Sequence, residues 1–151
     1  AGPEPTADIT VRHRPLLGTV IDGELALRCL DELPVLAIAA AFAHGRTTIA
    51  DAGELRVKES DRIQVMADGL TTLGIKVEPT ADGLIIEGGT IGGGEVNGHG
   101  DHRIAMAFSI ASLCATGPIR IRDCANVATS FPNFLALCAQ VGIRVAQEGQ
   151  S

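Results

Sequence analysis

The sequence predicts a mixed α/β (α+β) fold built from tandem units packed around buried helices. Three observations predict it. Two strongly apolar helical runs, at residues 33–43 and 104–115, each follow an aspartate and leave little polar surface for water. After each comes a short alternating strand, an amphipathic helix and a further strand signal. The two series also keep an offset of 68 to 72 residues: Asp31 answers to Asp101, Gly45 to Gly117, Ile49 to Ile121, Asp51 to Asp123, Ser60 to Ser130 and Gly74 to Gly142. A period this long, with helix, strand, helix and strand in each copy, marks a repeated α/β unit.

In chain order, residues 8–14 alternate as a strand. Arg12-His13-Arg14 is either its polar end or a phosphate patch. Residues 17–27 contain glycines and fit no single period. Asp31 suits an N-cap, and Pro34 falls in the first turn, where its missing N–H costs little. The helix that follows is apolar all round and should be buried, with Gly45 ending it. Residues 46–51 read as a strand. Residues 60–73 read as a helix capped by Ser60 or Asp61, with Ile63, Met66, Ala67 and Leu70 on one face and Gly74 as its stop. Strands at residues 75–77 and 84–86 flank a turn at Ala81-Asp82-Gly83. Gly92-Gly93-Gly94 lacks the Gly-Lys-Ser/Thr ending of a phosphate loop and reads as a flexible connection. Asp101 caps the second apolar helix, which Gly117 ends. Residues 119–122 alternate as a strand. Ser130 begins a last helix through Phe134, Leu135 and Cys138, Gly142 stops it, and residues 143–145 close the chain as a strand.

The 151 residues have the length of one ordinary domain. With four Phe and no Tyr or Trp, the core must be aliphatic. A net charge of −6 argues against a general nucleic-acid or membrane surface, so any anion site must be local. Cys29, Cys114, Cys124 and Cys138 match no zinc spacing and no C-x-x-C, which predicts free thiols in a reducing compartment. Cys114 and Cys138 lie in apolar runs and are expected to be buried. No signal peptide is visible, and the longest apolar run is too short to span a bilayer. The opening Ala-Gly-Pro-Glu-Pro, without Met, reads as a linker or cut site over residues 1–7, hence as part of a longer protein.

Charge is densest between Glu54 and Arg62, where three basic and three acidic side chains fall at the start of a helix. Arg56 and Lys58 point the same way if the segment is extended. Glu59 and Arg62 share a face if the helix starts early. Free N–H groups and the helix dipole favour a phosphate or carboxylate there, and the alternative is a self-paired surface turn. The repeat favours a site. If the copies are related by rotation, Asp31, Glu59, Asp101, Arg103 and Ser130 meet at one end.

Arg56-Val57-Lys58-Glu59-Ser60-Asp61-Arg62, Asp101-His102-Arg103-Ile104-Ala105-Met106, Ala128-Thr129-Ser130-Phe131-Pro132 and Asp31-Glu32-Leu33-Pro34 resemble the 5-enolpyruvylshikimate-3-phosphate synthase family, the 3-phosphoshikimate 1-carboxyvinyltransferases. The resemblance runs from about residue 8 to residue 145. It implies the enolpyruvyl transferase fold, with three βαβαββ units in each of two domains. Residues 8–151 would then be about two units of a C-terminal domain, near 28–90 and 95–148. It further implies transfer of the enolpyruvyl group of phosphoenolpyruvate to the 5-hydroxyl of shikimate 3-phosphate, with release of phosphate. The setting would be chorismate and aromatic amino-acid biosynthesis in the cytoplasm, with no metal or organic cofactor. The N-terminal domain of the same enzyme would complete the cleft, so the fragment alone is expected to be inactive and, with apolar surface uncovered, to self-associate.

By position, the resemblance makes Asp31 the general base beside the reacting hydroxyl and Glu59 the proton shuttle at the phosphoenolpyruvate methylene. Arg62 and Arg103 would clamp phosphoenolpyruvate, and Lys58 would contact shikimate 3-phosphate. Asp101 would cap its helix and orient Arg103, and His102 would be structural. Two positions depart from part of the family. Thr129 stands where some members carry a Lys that binds phosphoenolpyruvate, and Glu54 stands where some carry an Asn that meets the phosphoshikimate. The UDP-N-acetylglucosamine enolpyruvyl transferases share fold and chemistry, but the Arg-Val-Lys-Glu-Ser-Asp-Arg string points to the shikimate branch. A non-catalytic α/β module binding phosphorylated ligands is the alternative of another class.

Overall fold

A computed structural model describes residues 5–147; what the sequence suggests for residues 1–4 and 148–151 lies outside the described residues. Two β-helix-β crossovers organise the chain. In the first, β1 (Val20–Ile21) leads through α1 (Gly23–Arg28) and α2 (Leu33–Phe42) to β2 (Arg46–Ile49), which lies parallel to β1. In the second, β5 (Gly94–Asn97) leads through α4 (His102–Ala111) to β6 (Ile119–Arg122), again parallel, with Val96 opposite Ile121. Parallel neighbours need such a crossover, and a helix supplies it. Asp51 and Asp123, equated by the offset, both leave their strands in the left-handed region, at φ 56° and 50°. Asp tolerates that region better than most residues.

The first copy then adds α3 (Arg62–Thr72) and the hairpin of β3 (Lys76–Pro79) and β4 (Leu84–Glu87). β4 pairs antiparallel with both β2 and β3, giving the order β1-β2-β4-β3. Leu84 and Ile86 point into the core, and Ile85 and Glu87 alternate outward. The second copy continues with two short helices, α5 (Asn126–Ser130) and α6 (Phe134–Gln140), and its sheet holds two strands.

The core lies between the layers, where α2 packs along α4 and α3 covers β3, β5 and α4. Ile63, Met66, Ala67 and Leu70 share the buried face of α3, as their 3.6-residue spacing requires. Gly69 allows α3 to sit on the ring of Phe108: a β-carbon there would lie 2.2 Å from it. A smaller cluster of Phe134, Cys138 and Ile143 packs on the outer side of α4.

Several local expectations fail, for separate reasons. Residues 8–14 form no strand and lie exposed, because no neighbouring strand among the described residues offers them a ladder. Residues 143–145 form none either; Ile143 instead packs on α6. α2 is not buried all round, since Val35 is exposed and Leu36, Ala39 and Phe42 are half-buried. Gly94 opens β5, and Gly93 lies against the Gly117-Pro118 backbone, where a β-carbon would come within 2.8 Å of a carbonyl oxygen. The triple glycine therefore permits close approach rather than flexibility. α4 ends at Ala111, well before Gly117, which leaves Cys114 exposed. Pro132 splits the last predicted helix, so Ser130 ends α5 instead of starting α6. All four cysteines are free thiols. Among the described residues no helix is long and apolar enough to cross a membrane.

Candidate active site

The charged stretch folds as two local structures. Residues Gly53–Val57 form a 3₁₀ turn, and α3 then starts at Arg62 with Asp61 as its cap, accepting from Gln64 N–H at 3.0 Å. The turn overrides the extended geometry that would aim Arg56 and Lys58 alike. Arg56 donates to the Thr80 and Ala81 carbonyls and to Asp61, tying the turn to the β3–β4 hairpin. Lys58 donates to Glu54, one helical turn back, at 2.8 Å. That hydrogen bond, with added attraction from Glu54 and Asp31, raises the Lys58 pKa further above its ordinary value.

Arg62 is the first residue of α3, and helical side chains lean toward the N-terminus. Its guanidinium reaches back to the entrance of α4. There Nε donates to Asp101 Oδ2 at 2.8 Å, Nη1 to Asp31 Oδ1 at 3.1 Å and Nη2 to Glu59 Oε2 at 2.6 Å. Asp101 also accepts from Ser60 Oγ at 3.0 Å and, as the N-cap of α4, from Arg103 N–H at 3.0 Å. Arg62 and Asp101 are 1% and 0% exposed, whereas the side chains of Asp31 and Glu59 are 48% and 50% exposed. One buried cation thus holds two half-open carboxylates at a rim and is itself held from beneath by a third.

Burial opposes charge on both buried partners. For Asp101 the hydrogen bond and attraction of Arg62, with Ser60 Oγ and Arg103 N–H, outweigh it and hold the carboxyl below its usual range. For Arg62 the hydrogen bond and charge of Asp101, followed by Glu59 and Asp31, outweigh it and raise the pKa. Both groups stay ionised at neutral pH.

Arg103 is the more open guanidinium, 34% exposed. It donates to the Asp31 carbonyl at 3.1 Å and lies 3.7 Å from the carboxylates of Asp31 and Glu32. Beside Asp31 a depression of about 340 Å³ opens between α1, the turn before α2 and the 3₁₀ turn. Glu54 and Lys58 line it, together with Arg28, Leu30 and Glu32.

The structure therefore brings Asp31, Glu59, Arg62, Asp101 and Arg103 into one hydrogen-bonded cluster, with Lys58 and Glu54 alongside. Asp31 is not the cap of α2: it sits in the 3₁₀ turn Leu30–Glu32, Glu32 holds the cap position, and neither carboxylate bonds the helix N–H groups. Asp101 bonds the backbone of Arg103, not its guanidinium. Thr129 and Ser130 lie exposed on α5 and join the cluster through no hydrogen bond among the described residues. Sequence reasoning missed Ser60 as a partner of Asp101, since a serine before a helix reads as a cap. It also missed Arg28 and Glu32 on the depression; α1 is too short to show a period.

The family model of EPSP synthase (3-phosphoshikimate 1-carboxyvinyltransferase) matches residues 3–137. The chain belongs to this family. A 3-phosphoshikimate 1-carboxyvinyltransferase of Nitrosococcus oceani is 62% identical over 144 residues, covering 95% of this chain and 32% of the relative. One of Coxiella burnetii is 60% identical over 142 residues, covering 94% and 32%. A solved EPSP synthase from Acinetobacter baumannii superimposes with a TM-score of 0.84 at 49% identity, covering 88% of this chain and 32% of that one. The architecture is that of the EPSP synthase family, and the chain spans about a third of the length of the curated relatives it matches.

Proposed function

We propose that the chain supplies part of the active site of a 3-phosphoshikimate 1-carboxyvinyltransferase. The reaction is transfer of the enolpyruvyl group of phosphoenolpyruvate to the 5-hydroxyl of shikimate 3-phosphate with loss of phosphate, a step of aromatic amino-acid biosynthesis in the cytoplasm. In this reading residues 8–151 are part of a C-terminal domain, with units near 28–90 and 95–148, and the N-terminal domain closes the cleft. The observation that carries it is the pair of half-exposed carboxylates, Asp31 and Glu59, held on one buried arginine within a family defined by this chemistry.

The hydroxyl must lose a proton as its oxygen attacks C2 of phosphoenolpyruvate, while C3 gains one. The new methyl then gives up a proton as the C2–O bond to phosphate breaks. Two carboxylates on opposite sides of the reacting atoms serve both proton movements. Asp31, beside the depression, is the base toward the acceptor hydroxyl, and Glu59 handles the proton at the methylene carbon. Arg62 keeps both carboxylates at a set separation. Its donors are largely occupied, so the geometry favours Arg103 as the clamp on phosphoenolpyruvate and Arg62 as the holder of Asp31 and Glu59. Lys58 faces the acceptor. Glu54 engages Lys58, and Thr129 offers no charge to replace a lysine.

The purified chain alone should release no phosphate from the two substrates, because without the rest of the cleft it cannot orient them or exclude water. Exchanged for the matching segment of the Nitrosococcus oceani relative, it should support turnover. Asp31→Ala in that hybrid should lower kcat about 10²–10⁴-fold with little change in binding of shikimate 3-phosphate. Unchanged kcat would remove Asp31 from the role of base.

A further inference from the structure

We propose that Arg28 is a substrate-binding residue that selects for the phosphorylated form of the acceptor. The inference rests on the reading above and adds to it a residue that the family motifs do not contain. Four cations surround the depression and its rim. Three are engaged: Lys58 with Glu54, Arg62 with Asp31, Glu59 and Asp101, and Arg103 with the Asp31 carbonyl near Asp31 and Glu32. Arg28 lines the same depression from the last turn of α1, is exposed, and makes no hydrogen bond or ion pair among the described residues. It is the cation there, among the described residues, whose five donors stand ready for an incoming anion.

Position decides which anion. Asp31 lines the depression too, so an acceptor whose hydroxyl meets Asp31 extends its remaining substituents over Lys58 and Arg28. About 340 Å³ accommodates a small ring acid with a phosphate ester. Phosphoenolpyruvate would lie on the other side of Asp31, toward Glu59 and Arg103. A planar guanidinium matches two phosphate oxygens at once, and a free hydroxyl offers it far less. Arg28 therefore contributes to the difference in affinity between the phosphorylated and the unphosphorylated acid.

The test is an amide NMR titration of the 151-residue chain with shikimate 3-phosphate and, separately, shikimate, both to millimolar concentration. Shifts from shikimate 3-phosphate should gather at residues 28, 31 and 58. Arg28→Ala should weaken shikimate 3-phosphate about 3- to 10-fold, the scale of one partly exposed charge-assisted contact, and leave shikimate unchanged; Arg28→Lys should restore part of the loss. Arg28 has no hydrogen-bond or ion-pair partner among the described residues to lose, so the variant's unliganded spectrum should match the parent's outside its neighbours. Equal affinities of parent and Arg28→Ala, with shifts still centred on Lys58, would overturn the Arg28 assignment and leave the carboxyvinyl-transfer reading standing. An equal loss for both ligands would reduce Arg28 to a structural role and overturn its selectivity. Shifts confined to other surfaces, or none, would overturn both the acceptor site and Arg28's part in it.

Discussion

The entrances to the two inner helices occupy matching places in the tandem pattern, and their aspartates have opposite fates. At α4, Asp101 is buried, caps its helix and neutralises Arg62. At α2, Asp31 is displaced into a 3₁₀ turn, bonds no N–H of its own helix and presents a half-open carboxylate at the rim. Pro34 contributes to the difference, since it lacks one of the N–H groups that a cap would serve. The same residue in the same slot becomes scaffold or rim carboxylate according to burial. The buried aspartate has spent its lone pairs on a fixed network. The exposed one keeps an oxygen edge for a ligand while Arg62 restrains it from behind.

The sharpest way to break this contrast is to remove each carboxylate in turn and measure stability by urea unfolding. Asp101→Ala should cost about 3–5 kcal/mol, because it removes the buried counterion of Arg62, leaves the Arg62 Nε donor without its partner and uncaps α4. Asp31→Ala should cost less than about 1 kcal/mol, the scale of a half-exposed ion pair. Equal losses would mean that burial does not separate the two roles.

Acid unfolding sharpens the same point. The folded-state pKa of Asp101 is depressed, so the unfolded chain binds more protons between that value and the ordinary one, about 3.9. The stabilisation should be fully present above the ordinary value and disappear as pH falls through the folded-state value. Asp101→Asn should flatten the stability–pH curve in that acid window, whereas a slope unchanged from the parent's would deny the linkage.

A further pair of variants compares two helix entrances, one with a side-chain cap and one without. Asp61→Ala removes the side-chain cap of α3 and a bond to Arg56, and should cost about 1–2 kcal/mol. Glu32→Ala, at a cap position whose side chain bonds no helix N–H, should stay within about 0.5 kcal/mol. Thermal melts of the two variants check the pair.

Apolar patterning with start and stop signals located these elements: α2 and α4 as apolar runs between an aspartate and a glycine, α3 by its helical spacing, and β2, β4 and β6 as short strand-like segments. It also equated the turns at Asp51 and Asp123, whose matching left-handed backbone the structure displays. It misread β5, whose glycines signal close approach only when the opposing backbone at Gly117 is known. It placed a strand at residues 8–14 because alternation describes a strand's faces and says nothing about whether a partner exists. The convergence of Asp31, Glu59, Asp101 and Arg103 was legible from the repeat and from the family strings. That Arg62 would be buried at its centre, with Asp101 beneath and two carboxylates above, was not.

Fold class, tandem arrangement and family could be read along the chain, because apolar spacing and a dense charged string are local properties of it. Tertiary structure alone decided which charges are buried and which face the rim. Burial and ion pairing depend on what α3, α4 and the turn before α2 bring against one another across 30 to 70 residues of sequence, about 31 between Asp31 and Arg62 and 39 between Arg62 and Asp101. Desolvation of a charge is a property of that packed environment, so residues of one type and one spacing ended with different chemistry.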